Sequence, residues 1–130
     1  MSKEFNKNKV VVITGGAKKI GRAAAKKLAD QGFNILIHTG GKSIEEAKKT
    51  VEIVRGYGVK SNFVDGDLID LTTINKIKEA AEKLGTPSVL INNAALRIHE
   101  DFEKITYEDW KKVMAINVDA SFLCAQALIG

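Results

Sequence analysis

The stretch Val10-Val11-Val12-Ile13-Thr14-Gly15-Gly16-Ala17-Lys18-Lys19-Ile20-Gly21-Arg22 decides how the chain folds. An unbroken β-branched run reads as a short strand buried on both faces, the pattern of an inner parallel strand. Two glycines follow at once, then a helix-forming segment over 20–31 that closes at Gly32. Gly15 and Gly16 permit a tight turn and a close approach of backbone, and Gly21 lets the helix lie near the sheet. The helix N-terminus offers unpaired N–H groups and a partial positive charge, which suit a phosphate. A glycine-rich stretch alone says little. Between a buried strand and a helix it reads as a pyrophosphate-binding turn.

The rest of the chain repeats this alternation. Residues 34–38 form a second strand. Ser43 opens a helix with Glu46 three residues on, the pattern of a capping box, and the helix ends near Gly56. Residues 59–64 form a third strand. Leu71, Ile74, Ile77, Ala81 and Leu84 recur at helical spacing, closed by Gly85. Residues 89–92 form a fourth strand, and 106–128 one long helix with Trp110, Val113, Met114, Val118, Ala125 and Leu128 on its apolar seam. Strands joined by helical crossovers predict a doubly wound parallel sheet of the Rossmann type, ordered 3-2-1-4. No repeat, low-complexity tract or linker divides the chain, so residues 1–130 read as part of a single α/β domain.

Composition narrows the class. With 130 residues and 45% hydrophobic content, the chain can bury one core. Its single cysteine, Cys124, cannot form an internal disulfide, which points to a reducing, cytoplasmic setting. Apolar runs reach only about four residues, against the roughly 20 of a spanning helix, so no membrane span is expected. The start, MSKEFNKNK, has no apolar segment of the signal-peptide kind. Residues 1–60 carry 13 Lys and Arg against 5 acids, and residues 61–130 carry 7 against 11. That asymmetry suits an anionic partner at one end, either a nucleic acid or a phosphorylated small molecule, or simply solvated helix faces. No basic–aromatic interleaving is present, so nucleic acid is not expected. No metal-ligating set is expected either.

The motif TGGAKKIG, Thr14 to Gly21, resembles the TGxxxGxG cofactor turn of the short-chain dehydrogenase/reductase family, with Lys19 in place of the middle glycine. Some members, pteridine reductases among them, carry Lys or Arg there. Asp67-Leu68 resembles the family's Asp-aliphatic pair that contacts adenine. Asn92-Asn93-Ala94-Ala95 resembles NNAG, and Thr106 to Trp110 followed by Asn117-Val118 resembles the start and middle of the family's fourth helix. Four motifs in family order, over residues 9–128, are far more specific than one. The resemblance implies a nicotinamide cofactor held by Gly15, Lys18, Lys19, Ile20, Gly21, Thr39, Gly40, Lys42, Asp67, Leu68, Asn92, Asn93 and Ala94.

An NAD-specific site usually ends its second strand on an acid that holds the ribose 2′-OH. Here that stretch reads His38-Thr39-Gly40-Gly41-Lys42-Ser43, without a carboxylate. Hydroxyls, Lys42 and a helix N-terminus suit a 2′-phosphate instead, and Lys18 occupies a position where NADP-using members often carry a base. NADP(H) is therefore expected over NAD(H).

In the family, hydride passes between nicotinamide and a carbonyl carbon. A Tyr exchanges the proton, a Lys four residues later lowers its pKa, a Ser polarises the substrate oxygen and a helical Asn holds a water. Asn117 matches that Asn. It falls four residues after Val113 on the apolar seam, so its amide is expected to be buried and paired with a backbone carbonyl or a water. Tyr107 and Lys111 fit Tyr-x-x-x-Lys by spacing, but they precede Asn117 and stand in the first turn of a helix, where an exposed Tyr is expected. Family domains run to about 250 residues, the size of a full doubly wound domain. A strand at 89–91 would also leave a bare hydrophobic edge. The chain is thus expected to be the cofactor-binding half of an oxidoreductase, truncated after the fourth strand and helix or completed elsewhere. The stretch from Asn92 to Trp110 looks most like 3-oxoacyl-carrier-protein reductases. Lys19 keeps a pteridine reductase as the alternative, and a nucleotide-binding fragment without turnover is the third reading. A small carbonyl or alcohol substrate and a homo-oligomeric full-length form are the partners expected.

Overall fold

The computed structural model describes residues 3–129. Its elements in chain order are α1 (Lys3–Asn6), β1 (Lys9–Thr14), α2 (Lys19–Asp30), β2 (Asn34–Thr39), α3 (Ile44–Arg55), β3 (Ser61–Asp65), α4 (Leu71–Leu84), β4 (Thr86–Asn92), α5 (Tyr107–Met114) and α6 (Ala120–Ile129). A single 3-10 turn, Phe102–Lys104, precedes α5. All strand pairs are parallel, in the order β3-β2-β1-β4 expected from the alternation. This is a Rossmann-like α/β fold.

The continuous run at β1 has a direct packing cause. Val10 and Val12 point to one face, where Leu36, Leu68, Ile74, Ile77, Ala81, Ala120 and Cys124 complete a core under α4 and α6. Val11 and Ile13 point to the other, against Ala25 and Ala29 of α2 and Val51 and Val54 of α3. A strand with helices on both faces needs no polar alternation. The C-terminal ends of β1, β2 and β3 therefore open together onto one crest, where the loops gather.

Three local expectations are corrected. Strand β4 begins at Thr86, three residues early, because Pro87 is tolerated at a sheet edge where the ladder slips: Val10 faces Pro87 and Val11 faces Val89. Ser43 makes no side-chain capping bond, and the Glu46 carboxylate that would complete the box is drawn to Arg22 at 2.7 Å. A true capping box forms instead at Thr106 and Asp109. The long helix is not uniform. Residues Ala115–Asp119 form a π turn between α5 and α6, and the seam expected at Trp110, Val113, Met114 and Val118 is not buried, burial in this region falling on Ala120 and Cys124. Read through the π turn, Tyr107–Ile129 is 23 residues long and contains an 18-residue window of mean hydropathy 1.3, so by length and composition alone it could cross a membrane. Unbroken apolar runs there stay short because Asn117, Asp119, Ser121 and Gln126 interrupt them.

Candidate functional site

The turn after β1 is built by backbone proximity. Thr14 Oγ1 accepts the N–H groups of Asn93 and Ala94, both at 3.1 Å, and Asn93 Nδ2 donates to the Gly15 carbonyl at 2.9 Å. Gly15 adopts φ +62°, and a Cβ there would lie 2.9 Å from Ala94 Cα. A Cβ on Gly21 would meet Gly16 Cα at 2.5 Å, so the first turn of α2 rests directly on the glycine turn. Lys19, where the sequence pattern has a middle glycine, adopts φ +54°. That left-handed conformation costs an L-residue roughly 1–2 kcal/mol. The N-cap of α2 is Lys18, which makes no side-chain capping bond, so the helix presents its first amides without a protein side chain across them.

A cleft of about 690 Å³ opens beside this turn, within the usual range for small-molecule sites. Gly15, Lys18, Lys19, Ile20, Gly40, Asp67, Leu68, Asn93 and Ala94 line it. Gly21 sits behind it as the packing contact just described. Thr39, Lys42 and Asn92 are not among its lining residues. Thr39 is buried, and its carbonyl accepts the Gly66 N–H at 3.0 Å. Asn92 ends β4 beside Thr14 in the ladder. A Cβ at Gly40 or Gly41 would meet nothing within 4 Å, so the segment leading to Lys42 stands open. Asp67 Oδ1 accepts the Ile69 N–H at 3.1 Å, while Leu68 is buried in the core.

Sequence reasoning did not single out His38, Gly66, Ile69, Ala95, Leu96, Lys112 and Ile116, which also line the cleft. They come from five different segments, and only the fold assembles them. His38 is buried, and that burial lowers its pKa from the ordinary 6.5, against the opposing pull of the Gly66 carbonyl and of Asp67 and Asp65.

Asn117 lies in the π turn and is exposed, contrary to the buried position expected from the seam. The π turn shifts the helical phase, so counting four from Val113 no longer lands on the seam. Its amide is nonetheless bonded at both ends: Oδ1 accepts the Leu96 N–H at 2.8 Å and Nδ2 donates to the Leu96 carbonyl at 3.0 Å. It thereby anchors the segment after Asn93 and Ala94 that walls the cleft. Tyr107 is 71% exposed at the start of α5, and Lys111 Nζ lies 4.8 Å over its ring and 3.1 Å from Glu108. Neither lines the cleft. Cys124 is in the core, and burial pushes its thiol above the ordinary 9.0, which makes it a poor nucleophile.

A doubly wound sheet with a glycine turn at the crest, an uncapped helix N-terminus and an open cleft between the β1 and β3 loops defines a Rossmann-like domain of the nucleotide-binding kind. Residues 9–130 match the family described as short chain dehydrogenase, and the chain belongs to that family. It is 37% identical to L-2,3-butanediol dehydrogenase of Corynebacterium glutamicum, over 92% of this chain and 47% of that protein. It is equally 37% identical to L-rhamnose 1-dehydrogenase (NADP(+)) of Thermoplasma acidophilum, over 94% of this chain and 48% of the relative. A blue fluorescent protein from a metagenomic library, solved in complex with NADPH, superposes with a TM-score of 0.87 at 30% identity, over 95% of this chain and 51% of that one. The chain spans about half the length of the curated relatives it matches.

Proposed function

We propose that this chain is the cofactor-binding part of an NADP(H)-dependent oxidoreductase that exchanges hydride between nicotinamide and a small carbonyl or alcohol substrate. The observation that carries the reading is the glycine turn pressed against Asn93 and Ala94, with the uncapped start of α2 facing the cleft. A Cβ at Gly15 would collide with Ala94 and one at Gly21 with Gly16, so only glycines allow this close turn at the start of α2, and the residues present fit a dinucleotide. The amides at Lys19 and Ile20 would hold the pyrophosphate, Asp67 would meet the adenine side, and Lys18 would lie toward a 2′-phosphate. The bound cofactor supplies hydride donation or acceptance. The chain's own residues orient it, and Asn117 fixes the Leu96 segment beside it.

The preference for NADP(H) rests on the lack of a carboxylate from His38 to Ser43 and on the cations Lys18, Lys19 and Lys112 around the cleft. A relative bearing NADP(+) in its name and a structural neighbour bound to NADPH agree with it. Fluorescence titration of the chain with NADPH and NADH tests it: NADPH binds more tightly, and Lys18→Glu narrows the gap. Equal affinities, or a gap unmoved by Lys18→Glu, overturn it.

For the full-length protein we propose a 3-oxoacyl-thioester reductase, on the resemblance of the stretch from Asn92 to Trp110. A pteridine reductase is the alternative, supported by Lys19. Parallel assays of NADPH oxidation with an acetoacetyl thioester and with a dihydropterin decide between them. A cytoplasmic location and a homo-oligomer belong to the same proposal, supported by the lone unpaired Cys124 and by Trp110 and Phe122, both exposed along the α5–α6 helix.

A further inference from the structure

His38, next to last in β2, is only 2% exposed beneath the cleft, and the proposed chemistry makes no use of it. Its ring touches two loops from opposite sides of β2. The Gly15 N–H donates to Nδ1 at 3.2 Å, and Nε2 lies 2.8 Å from the Gly66 carbonyl oxygen. An amide N–H can only donate and a carbonyl can only accept. The ring must therefore accept at Nδ1 and donate at Nε2, which is the neutral, Nε2-protonated tautomer. An imidazolium would set a second N–H against the Gly15 N–H. Burial opposes the cation as well. Asp65 and Asp67 on the β3 side favour it, and Lys18 and Lys19, across the cleft at the start of α2, do not.

The main chain of β2 ties the same loops at the same level. The Gly16 N–H donates to the His38 carbonyl at 2.9 Å, and the Gly66 N–H to the Thr39 carbonyl at 3.0 Å. Backbone and imidazole thus bind each loop, and those loops carry Gly15 on one wall of the cleft and Asp67 on the other. We infer that His38 is a positioning residue of the dinucleotide cleft: its neutral ring clamps the turn after β1 to the loop after β3 across β2, setting the separation at which the two walls receive a dinucleotide. The inference rests on the dinucleotide reading above. It also implies that the Gly15 amide is already engaged, so the phosphates must be met by the later amides at Lys19 and Ile20.

Two measurements on the full chain test this. Long-range proton–nitrogen correlation spectra of the two histidine rings, assigned with a His99→Gln variant, show the Nε2–H tautomer of His38 near neutral pH. The Gly15 amide resonance then moves with the His38 titration, at a midpoint below 6.5. An Nδ1–H ring, a cation near neutral pH, or a Gly15 amide indifferent to the titration overturns the clamp. In the second measurement, His38→Asn keeps an acceptor near the Nδ1 position and His38→Gln keeps a donor near the Nε2 position. Each loses one hydrogen bond and weakens NADPH and NADH binding alike by about fivefold, and His38→Leu weakens both by more, about twentyfold. Folded Asn and Gln variants that bind within twofold of the native chain overturn the positioning role, even if the Leu variant fails to fold. A native chain that binds neither cofactor overturns the dinucleotide reading and the positioning role with it, while the ring resonances still decide whether the clamp exists.

Discussion

Arg22 Nη2 lies 2.7 Å from Glu46 Oε2, and this pair joins the first turns of α2 and α3. The same guanidinium donates to the carbonyls of Ala17 (3.3 Å) and Glu46 (3.1 Å), and its Nε donates to Thr50 Oγ1 at 2.8 Å. Thr50 in turn donates to the Ala17 carbonyl at 2.6 Å. The end of the glycine turn is therefore pinned to α3 by one forked side chain. Lysine has the charge but not the fork. Arg22→Lys is expected to lower unfolding free energy by about 1–2 kcal/mol, and Arg22→Ala by about 2–3 kcal/mol. Urea denaturation measures both, and a Lys variant as stable as the native chain would refute the need for the fork.

Two groups shape the acid limb of stability, in adjoining windows. The hydrogen bond from Arg22, and then the charge of Lys49, hold the Glu46 carboxyl below its ordinary 4.5. A carboxylate with a lowered folded pKa stabilises above its unfolded pKa, and that contribution is lost as pH falls through the folded value. Burial lowers His38 from 6.5, so as pH falls below 6.5 the unfolded chain takes up this proton first and stability declines until the folded pKa is passed. Glu46→Gln should flatten the stability profile below 4.5, and His38→Asn should flatten the stretch just below 6.5. Unfolding midpoints across that pH range check both, and parallel curves for native and variant chains would contradict the assignment.

Lys19 is a backbone conflict kept at the mouth of the cleft. Its φ of +54° favours glycine, so Lys19→Gly should raise stability by about 1 kcal/mol by removing the left-handed penalty. The same change removes a cation from the cleft lining and should weaken NADPH binding severalfold. Opposite signs in thermal melting and in titration are the expected result. A variant that loses stability would show the left-handed penalty to be absent.

Gly21 tests how closely α2 must approach the turn. Its missing Cβ would lie 2.5 Å from Gly16 Cα and 2.7 Å from the Gly15 carbonyl oxygen, both rigid backbone. Gly21→Ala must displace the helix, at a cost of about 1–3 kcal/mol in stability. It also moves the amides at Lys19 and Ile20, so NADPH affinity should fall more than tenfold. Preserved affinity in a folded variant would mean that α2 does not set the cofactor position.

What the sequence made legible follows from which forces are local. The β1 run, the glycines and the strand–helix alternation are readable because burial on both faces and left-handed turns restrict residue type at the position itself. Asn93 and Ala94 were readable through family order. His38 was not, because a histidine in a strand looks like any strand residue until Gly15 and Gly66 are brought to its two nitrogens. Glu46 was misread for a related reason. The capping-box pattern is local, but Arg22, on another helix, competes for the same carboxylate and wins with a charge-assisted bond. Asn117 was placed rightly in the helix and wrongly in the core, since a π turn leaves no mark in hydrophobic spacing.

Strand β4 has one partner among the described residues, β1, and its other edge carries Val89 at 38% exposure with Leu90 and Ile91 half-buried. A groove between Pro87–Leu90 and the Ala125 and Leu128 positions of α6 runs along this edge. Unpaired backbone groups beside apolar side chains form a template for strand addition. The chain on its own should therefore self-associate at micromolar concentration, and Val89→Lys should suppress that association by placing a charge on the edge. Val89 is not among the residues that line the cleft, so NADPH affinity should stay within about twofold. Sedimentation velocity of both chains, with titrations alongside, gives the answer. A native chain that stays monomeric, or a Lys variant that associates equally, would show that this edge is already protected.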